Sequence, residues 1–177
     1  MKPVSFDATT AECLLFTYKA GLLSRVAHDL KLRVERFEIA VDDQGIHARF
    51  DASSLRVVCA RAGGKDDLRA LSERDRREIE ATIARDVLDA RRHPAIDFRS
   101  STVAATVAPA EMQIDGTLSI RGRERPLSLL ARREGDRAVI ETVIHQPDFG
   151  IRPYTAMLGA LRIKPDVAVT MTAPWPD

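Results

Sequence analysis

Leu30-Lys31-Leu32-Arg33-Val34-Glu35-Arg36-Phe37-Glu38-Ile39-Ala40-Val41 holds two alternating runs that are out of phase with one another. Leu30, Leu32 and Val34 share one side, with Lys31, Arg33 and Glu35 opposite; the next apolar set, Phe37, Ile39 and Val41, has the other parity. Period-two alternation of charge and apolar bulk is what a half-buried antiparallel strand requires. A one-residue slip moves every side chain to the other face, so a β-bulge or a strong bend must separate the two runs if one core is to receive both. Bends and bulges are how a sheet closes on itself.

The same alternation recurs on either side of this stretch. Leu14, Phe16 and Tyr18 share a face before it; Ile46, Ala48 and Phe50 follow, interleaved with His47, Arg49 and Asp51. Ile96 with Phe98 comes next, then Met112, Ile114, Gly116, Leu118 and Ile120, then Ile140, Thr142 and Ile144, and finally Val167, Val169 and Met171. Asp42-Asp43-Gln44-Gly45, Arg121-Gly122 and Glu134-Gly135-Asp136 have turn chemistry between strand-like runs. Pro165 cannot donate to a ladder, so it marks an edge, bulge or turn before the last strand. One segment has helical spacing instead: Ile79, Ile83 and Val87 form a thin apolar stripe over about 72–88, with Ser72 as cap, Asp75 three residues on, and Pro94 as a stop. The stretch 60–71 reads as a loop.

About eight strands and one helix predict an all-β domain over 1–177, an antiparallel lipocalin-like β-barrel whose helix lies against the outside or plugs one end. A two-sheet sandwich with a solid interior is the competing architecture. An eight-stranded barrel is either just filled by its side chains or holds one small ligand.

Composition narrows the function classes. The chain has 177 residues, 45% apolar and 30% charged, yet its net charge is only +1, so no overall field recommends nucleic acid or an anionic membrane as partner. Cys13 and Cys59 stand alone in apolar runs and read as buried thiols. Met1-Lys2-Pro3-Val4-Ser5-Phe6-Asp7 does not have the form of a secretory leader, and no run is long enough for a transmembrane helix, so a cytoplasmic location is expected.

Four local patterns, in order along the chain, resemble the YceI-like family of polyisoprenoid-binding proteins. They are Gly21-Leu22-Leu23-Ser24-Arg25-Val26-Ala27-His28-Asp29; Arg85-Asp86-Val87-Leu88-Asp89 with His93-Pro94-Ala95-Ile96-Asp97-Phe98-Arg99-Ser100; Gly116-Thr117-Leu118-Ser119-Ile120-Arg121-Gly122; and Asp148-Phe149-Gly150-Ile151 followed by Gly159 and a terminal strand. The resemblance implies a lipocalin-like barrel that holds an isoprenoid chain, such as a polyprenyl compound or isoprenoid quinone, in an apolar tunnel. Many members carry a secretion signal, which this N-terminus does not resemble.

On this reading the tunnel draws on Leu14, Phe16, Leu32, Val34, Phe50, Ile114, Leu118 and Ile140. Aliphatic walls suit a flexible polyprenyl or acyl chain. Arg25 and His28 are expected at one mouth and Arg152 and Tyr154 at another, where they would orient a polar head group by charge-assisted hydrogen bonds. Local roles explain the same residues: Asp29 accepting backbone N–H groups in a turn with His28 packed beneath, and 148–154 serving as a connecting loop with Gly150 at an unusual φ. His28, His47, His93 and His145 show no metal-ligand spacing, and no nucleophile elbow, phosphate loop or dinucleotide fingerprint occurs. The expectation is therefore a carrier or sequestering protein for a polyisoprenoid, an isoprenoid quinone or a fatty-acyl compound, not an enzyme, without cofactor or metal, a homodimer being allowed. The alternatives are a filled barrel acting through its surface and, more weakly, an enzyme working on a lipid head group through His28 and Asp29.

Overall fold

The computed structural model describes residues 3–20, 28–159 and 161–175. In chain order the strands are β1 (Val4–Asp7), β2 (Glu12–Thr17), β3 (Asp29–Val34), β4 (Phe37–Asp42), β5 (Gly45–Asp51), β6 (Leu55–Ala62), β7 (Lys65–Asp67), β8 (Ala95–Ala105), β9 (Glu111–Ile120), β10 (Arg123–Glu134), β11 (Arg137–His145), β12 (Thr155–Ala156), β13 (Leu161–Arg162) and β14 (Asp166–Pro174). β12 and β13 form a short ribbon of their own; the other twelve belong to one sheet.

The pairing shows how that sheet closes. β1 lies along β4 and β2 along β3, while β4 pairs with β5 and β3 with β6. The first six segments are thus three long staves, each bent once. β5 then pairs with β8, and the ladder continues through β9, β10, β11 and β14 before returning to β2. Eight antiparallel staves complete the circuit.

The parity change read in 30–41 is this bend. Leu30, Leu32, Val34, Phe37, Ile39 and Val41 are all buried in the central hydrophobic cluster. The two corner residues, Glu35 and Arg36, direct their backbone N–H groups to the fully buried Ser54 on the neighbouring stave, one to its carbonyl (3.1 Å) and one to its Oγ (3.1 Å). Ser54 Oγ donates in turn to the Asp51 carbonyl (2.8 Å), and the Asp51 N–H donates to the Arg36 carbonyl (2.9 Å). Partial burial pushes the Asp51 carboxyl up, but hydrogen bonds from Ser53 and Arg36 outweigh it and hold the group below the usual carboxylate range. Each corner thereby supplies the ladder bonds that the other has lost.

The helix is α1 (Glu73–Thr82), continued by one wide turn of π-helix at 83–87. Ser72 caps it, and the Ser72–Asp75 capping box is complete in both directions. It ends well before Pro94, because Asp89 adopts a left-handed backbone (φ 47°). Glu80 Oε1 accepts the Val57 N–H (2.8 Å), fastening the helix to β6. Residues 60–71 correct the expected loop. Gly63 and Gly64 both have positive φ (56° and 79°) and turn β6 back onto β7, the two-residue hairpin that a Gly-Gly pair favours.

Replacing the buried Ser54 by Ala should destabilise the fold by about 1 kcal/mol, since it removes the hydrogen bonds of its hydroxyl to the part-buried Arg36 N–H and the Asp51 carbonyl. Denaturant unfolding checks this; an unchanged midpoint would mean that the corner bonds do not hold the bend.

Candidate ligand-binding site

Inside the staves lies a cavity of about 950 Å³. All eight staves contribute to its wall, which is overwhelmingly apolar: Leu15, Leu32, Ala48, Phe98, Ile114, Leu129, Ile140 and Val169 are examples. α1 and the π-turn close one side, presenting the anticipated stripe of Ile79, Ile83 and Val87 to the interior. Several small residues sit on the wall, among them Ala48, Ala131, Ala138 and Ala173, and they leave room that larger side chains would occupy. Gly116 has a different reason for being small: a Cβ there would lie 2.3 Å from the Arg99 carbonyl oxygen and 2.7 Å from the Phe98 ring.

Of the expected wall residues, Leu32, Val34, Phe50, Ile114, Leu118 and Ile140 line the cavity. Leu14 and Phe16 do not; their neighbours Cys13, Leu15 and Thr17 do. The first stave also changes parity at its bend, between Phe6 and Cys13, both buried inside. Bulk misled the assignment, because the outer face of β2 is apolar as well. Phe16 is half-buried there beneath the Arg61 guanidinium, 5.0 Å from the ring centroid.

The polar mouth gathers beside α1. Thr17 is the last ladder residue of β2, opposite Leu30, and His28 lies two residues before that partner. Lys19 bridges Ile163, whose N–H donates to the Tyr154 carbonyl (3.0 Å). Thr17, His28, Tyr154, Leu161 and Ile163 consequently edge one end of the cavity, with Asp75 and Glu78 of α1 facing them as exposed residues. Asp29 Oδ1 accepts the Lys19 N–H (2.8 Å), the local role its sequence context suggested.

Of the four expected head-group contacts, His28 and Tyr154 are brought together at this end. Arg152 is not: it is exposed and off the wall, because Gly150 (φ 69°) turns the chain so that Ile151 enters the interior. Arg25 lies outside the described residues. Sequence reasoning missed Thr17, Asp75, Glu78 and Gln146. The Gln146 side-chain amide is buried and donates to the Lys164 and Pro165 carbonyls (3.2 Å each), which pins the chain around Pro165. Only the pairing partners of 17 and 28 could have indicated the first of these. Among the described residues no group of three His, Cys, Asp or Glu could hold a metal ion.

The geometry agrees with what is similar to this chain. The sequence profile of the YceI-like domain matches residues 4–174. The chain belongs to the YceI-like family. Its structure resembles that of Burkholderia cenocepacia BcnA, with a TM-score of 0.64 at 14% identity over 96% of this chain and 99% of that one. It also resembles the Campylobacter jejuni YceI protein, with a TM-score of 0.56 at 14% identity over 90% and 92%. At such identities the likeness shows the fold alone. No curated protein matches the chain by sequence. No helix among the described residues of this YceI-like barrel is long and apolar enough to cross a membrane.

The wall also holds a thiol. Burial, aided by the neighbouring Glu12 charge, pushes Cys13 up to about 12 from an ordinary value of 9.0. Below pH 9 the thiol is protonated in both folded and unfolded chains, so its contribution to stability is fully present. Between pH 9 and 12 only the unfolded chain ionises, and stability should fall by about 1.4 kcal/mol per pH unit. Denaturant unfolding at pH 8 and pH 10.5 should show this slope in the native chain, and Cys13→Ala should lack that component.

Proposed function

We propose that this YceI-like barrel binds, and carries or sequesters, a long apolar ligand: a polyisoprenoid, an isoprenoid quinone or a fatty-acyl compound. The apolar cavity of about 950 Å³ is the observation that carries the reading. A compact apolar group displaces about as much volume as a liquid water molecule, roughly 30 Å³, so the space corresponds to on the order of thirty non-hydrogen ligand atoms. A tail of that size gains roughly 0.8 kcal/mol for each methylene it removes from water. The wall makes few directional demands, which suits flexible chains and selects by length and cross-section. His28 and Tyr154 would orient the head, and Arg25 and Arg152 remain proposed contacts from the bordering segments.

A filled barrel acting through its surface would have no use for this space. The enzymatic alternative draws little support from the site, because Asp29 holds the Lys19 backbone instead of serving as a partner to His28.

Two measurements test the reading. Organic extraction of the purified protein followed by mass spectrometry should release an apolar ligand, or the emptied protein should bind added polyprenols. Trp175, the only tryptophan, lines the cavity 5.8 Å from the Arg133 guanidinium and should report filling by a change in emission. Affinity for linear alcohols should climb with each added methylene and then level off once the cavity is full. No binding at any chain length would defeat the proposal. Ile140→Trp, which projects a large ring into the space, should weaken binding by at least about tenfold, the equivalent of two methylenes.

A further inference from the structure

We infer that Trp175 is the floor of the cavity: its indole closes the end opposite His28 and Tyr154 and sets the longest tail that the barrel accepts. The inference rests on the cavity being a lipid site and names the residue that limits the length of its ligand.

Ladder register separates the two ends. β11 runs from Arg137, in register with Pro174, to His145, in register with Asp166. The next residue, Gln146, donates its backbone N–H to the Pro165 carbonyl (3.0 Å), and the neighbouring Lys164 N–H donates to the Tyr18 carbonyl (2.7 Å). The His145 end of β11 is therefore the end at which His28, Tyr154 and Ile163 meet. The nine residues of β11, at about 3.3 Å each, put Arg137 roughly 25 Å away, or on the order of 20 Å along the axis of a tilted barrel. A tail that starts at His28 and Tyr154 and runs down the barrel ends there.

The parity of the last strand turns residue 175 inward. Val167, Val169, Met171 and Ala173 alternate onto the wall, and pairing continues one step past Pro174, since the Trp175 N–H donates to the Asp136 carbonyl (2.8 Å). Trp175 is accordingly half-buried and belongs to the wall at its last rung. Its neighbours on that stretch are small. Ala138 and Ala173 face each other across the β11–β14 ladder and both line the cavity, so the space stays wide until it meets the indole. Asp42 of the β4–β5 turn is on the wall as well, but its carboxylate accepts the Gln44 N–H of its own turn (2.8 Å).

The ring is also held in place. Arg133, exposed at the end of β10, carries its guanidinium over the indole, 5.8 Å from the centroid, where the face of the ring attracts a cation. That guanidinium is itself positioned: Arg133 Nε donates to the Gly135 carbonyl (3.0 Å) and its backbone N–H to the Ala110 carbonyl (2.9 Å). A wide ring fixed at the end of an aliphatic passage acts as a stop.

The test titrates the full chain with linear primary alcohols of increasing length, read by calorimetry because variants at 175 lack the reporter indole. In the native chain affinity should rise about fourfold per methylene up to a plateau. Trp175→Ala vacates the space of roughly nine non-hydrogen atoms and should move the plateau to chains about four or more carbons longer. Trp175→Leu should move it less far, and carries the same test if the alanine variant does not fold. Ala138→Leu, which fills the passage just above the floor, should move the plateau to shorter chains. The position of the plateau is the readout, because a loosened barrel would weaken binding at every length without displacing it. A plateau that stays in place in the Trp175 variants overturns the inference and leaves the lipid reading intact. One that Ala138→Leu leaves in place also overturns it, since the tail then never reaches this end. If the native chain binds alcohols of no length, the lipid reading falls and the floor with it.

Discussion

An apolar wall that closes before it can meet itself is the constraint behind the rest of this structure. Eight antiparallel staves enclose an interior that side chains can fill only if enough of them are large. Here Ala48, Ala131, Ala138 and Ala173 alternate with branched residues on the wall, and about 950 Å³ remains. Water in that space would find few polar partners, and side chains around it forgo dispersion contacts on their inner side. A ligand with an apolar tail, as proposed, would supply both the missing contacts and the dry interior.

The same constraint explains the bent staves. A long strand that stayed straight would carry half its apolar residues out of the barrel after any change of parity. The first three staves bend together, and Ser54 links two of the corners through backbone and side-chain hydrogen bonds. Beyond the bend the third stave parts from β8, and α1 with its π-turn covers the opening. The helix needs only a narrow apolar stripe for this work, since one side faces the cavity and the remainder faces water. Its acidic first turn then forms part of the rim where a head group would rest.

Balanced composition and local sign are separate matters in this molecule. The net charge of +1 describes a surface of interleaved arginines and carboxylates, such as Arg36 with Asp51 and Lys31 with Asp66. At the mouth the helix presents Asp75 and Glu78 to the cavity, with Arg74 and His28 near enough to Asp75 to hold its carboxyl down. Composition cannot register such a patch; only the direction of each side chain does.

The alternation of 30–41 was legible as a strand that must bend, because parity is a property of neighbouring residues and needs no partner strand. The capped helix was legible for the same reason: Ser72, Asp75 and the four-residue stripe interact within one element. The inward face of β2 was not, since Leu14 and Phe16 look as apolar as Cys13 and Leu15, and Phe16 is covered by Arg61 from a stave some forty-five residues away. The Gly63-Gly64 hairpin was there to be read and passed for a loop. Wall volume, the Thr17 hydroxyl without a hydrogen-bond partner among the described residues, and the meeting of Thr17, His28, Tyr154 and Asp75 belong to the tertiary structure alone. Local periodicity determines which residues can share a face, whereas enclosed space and convergence at a mouth depend on distances between staves that no single stretch of chain encodes.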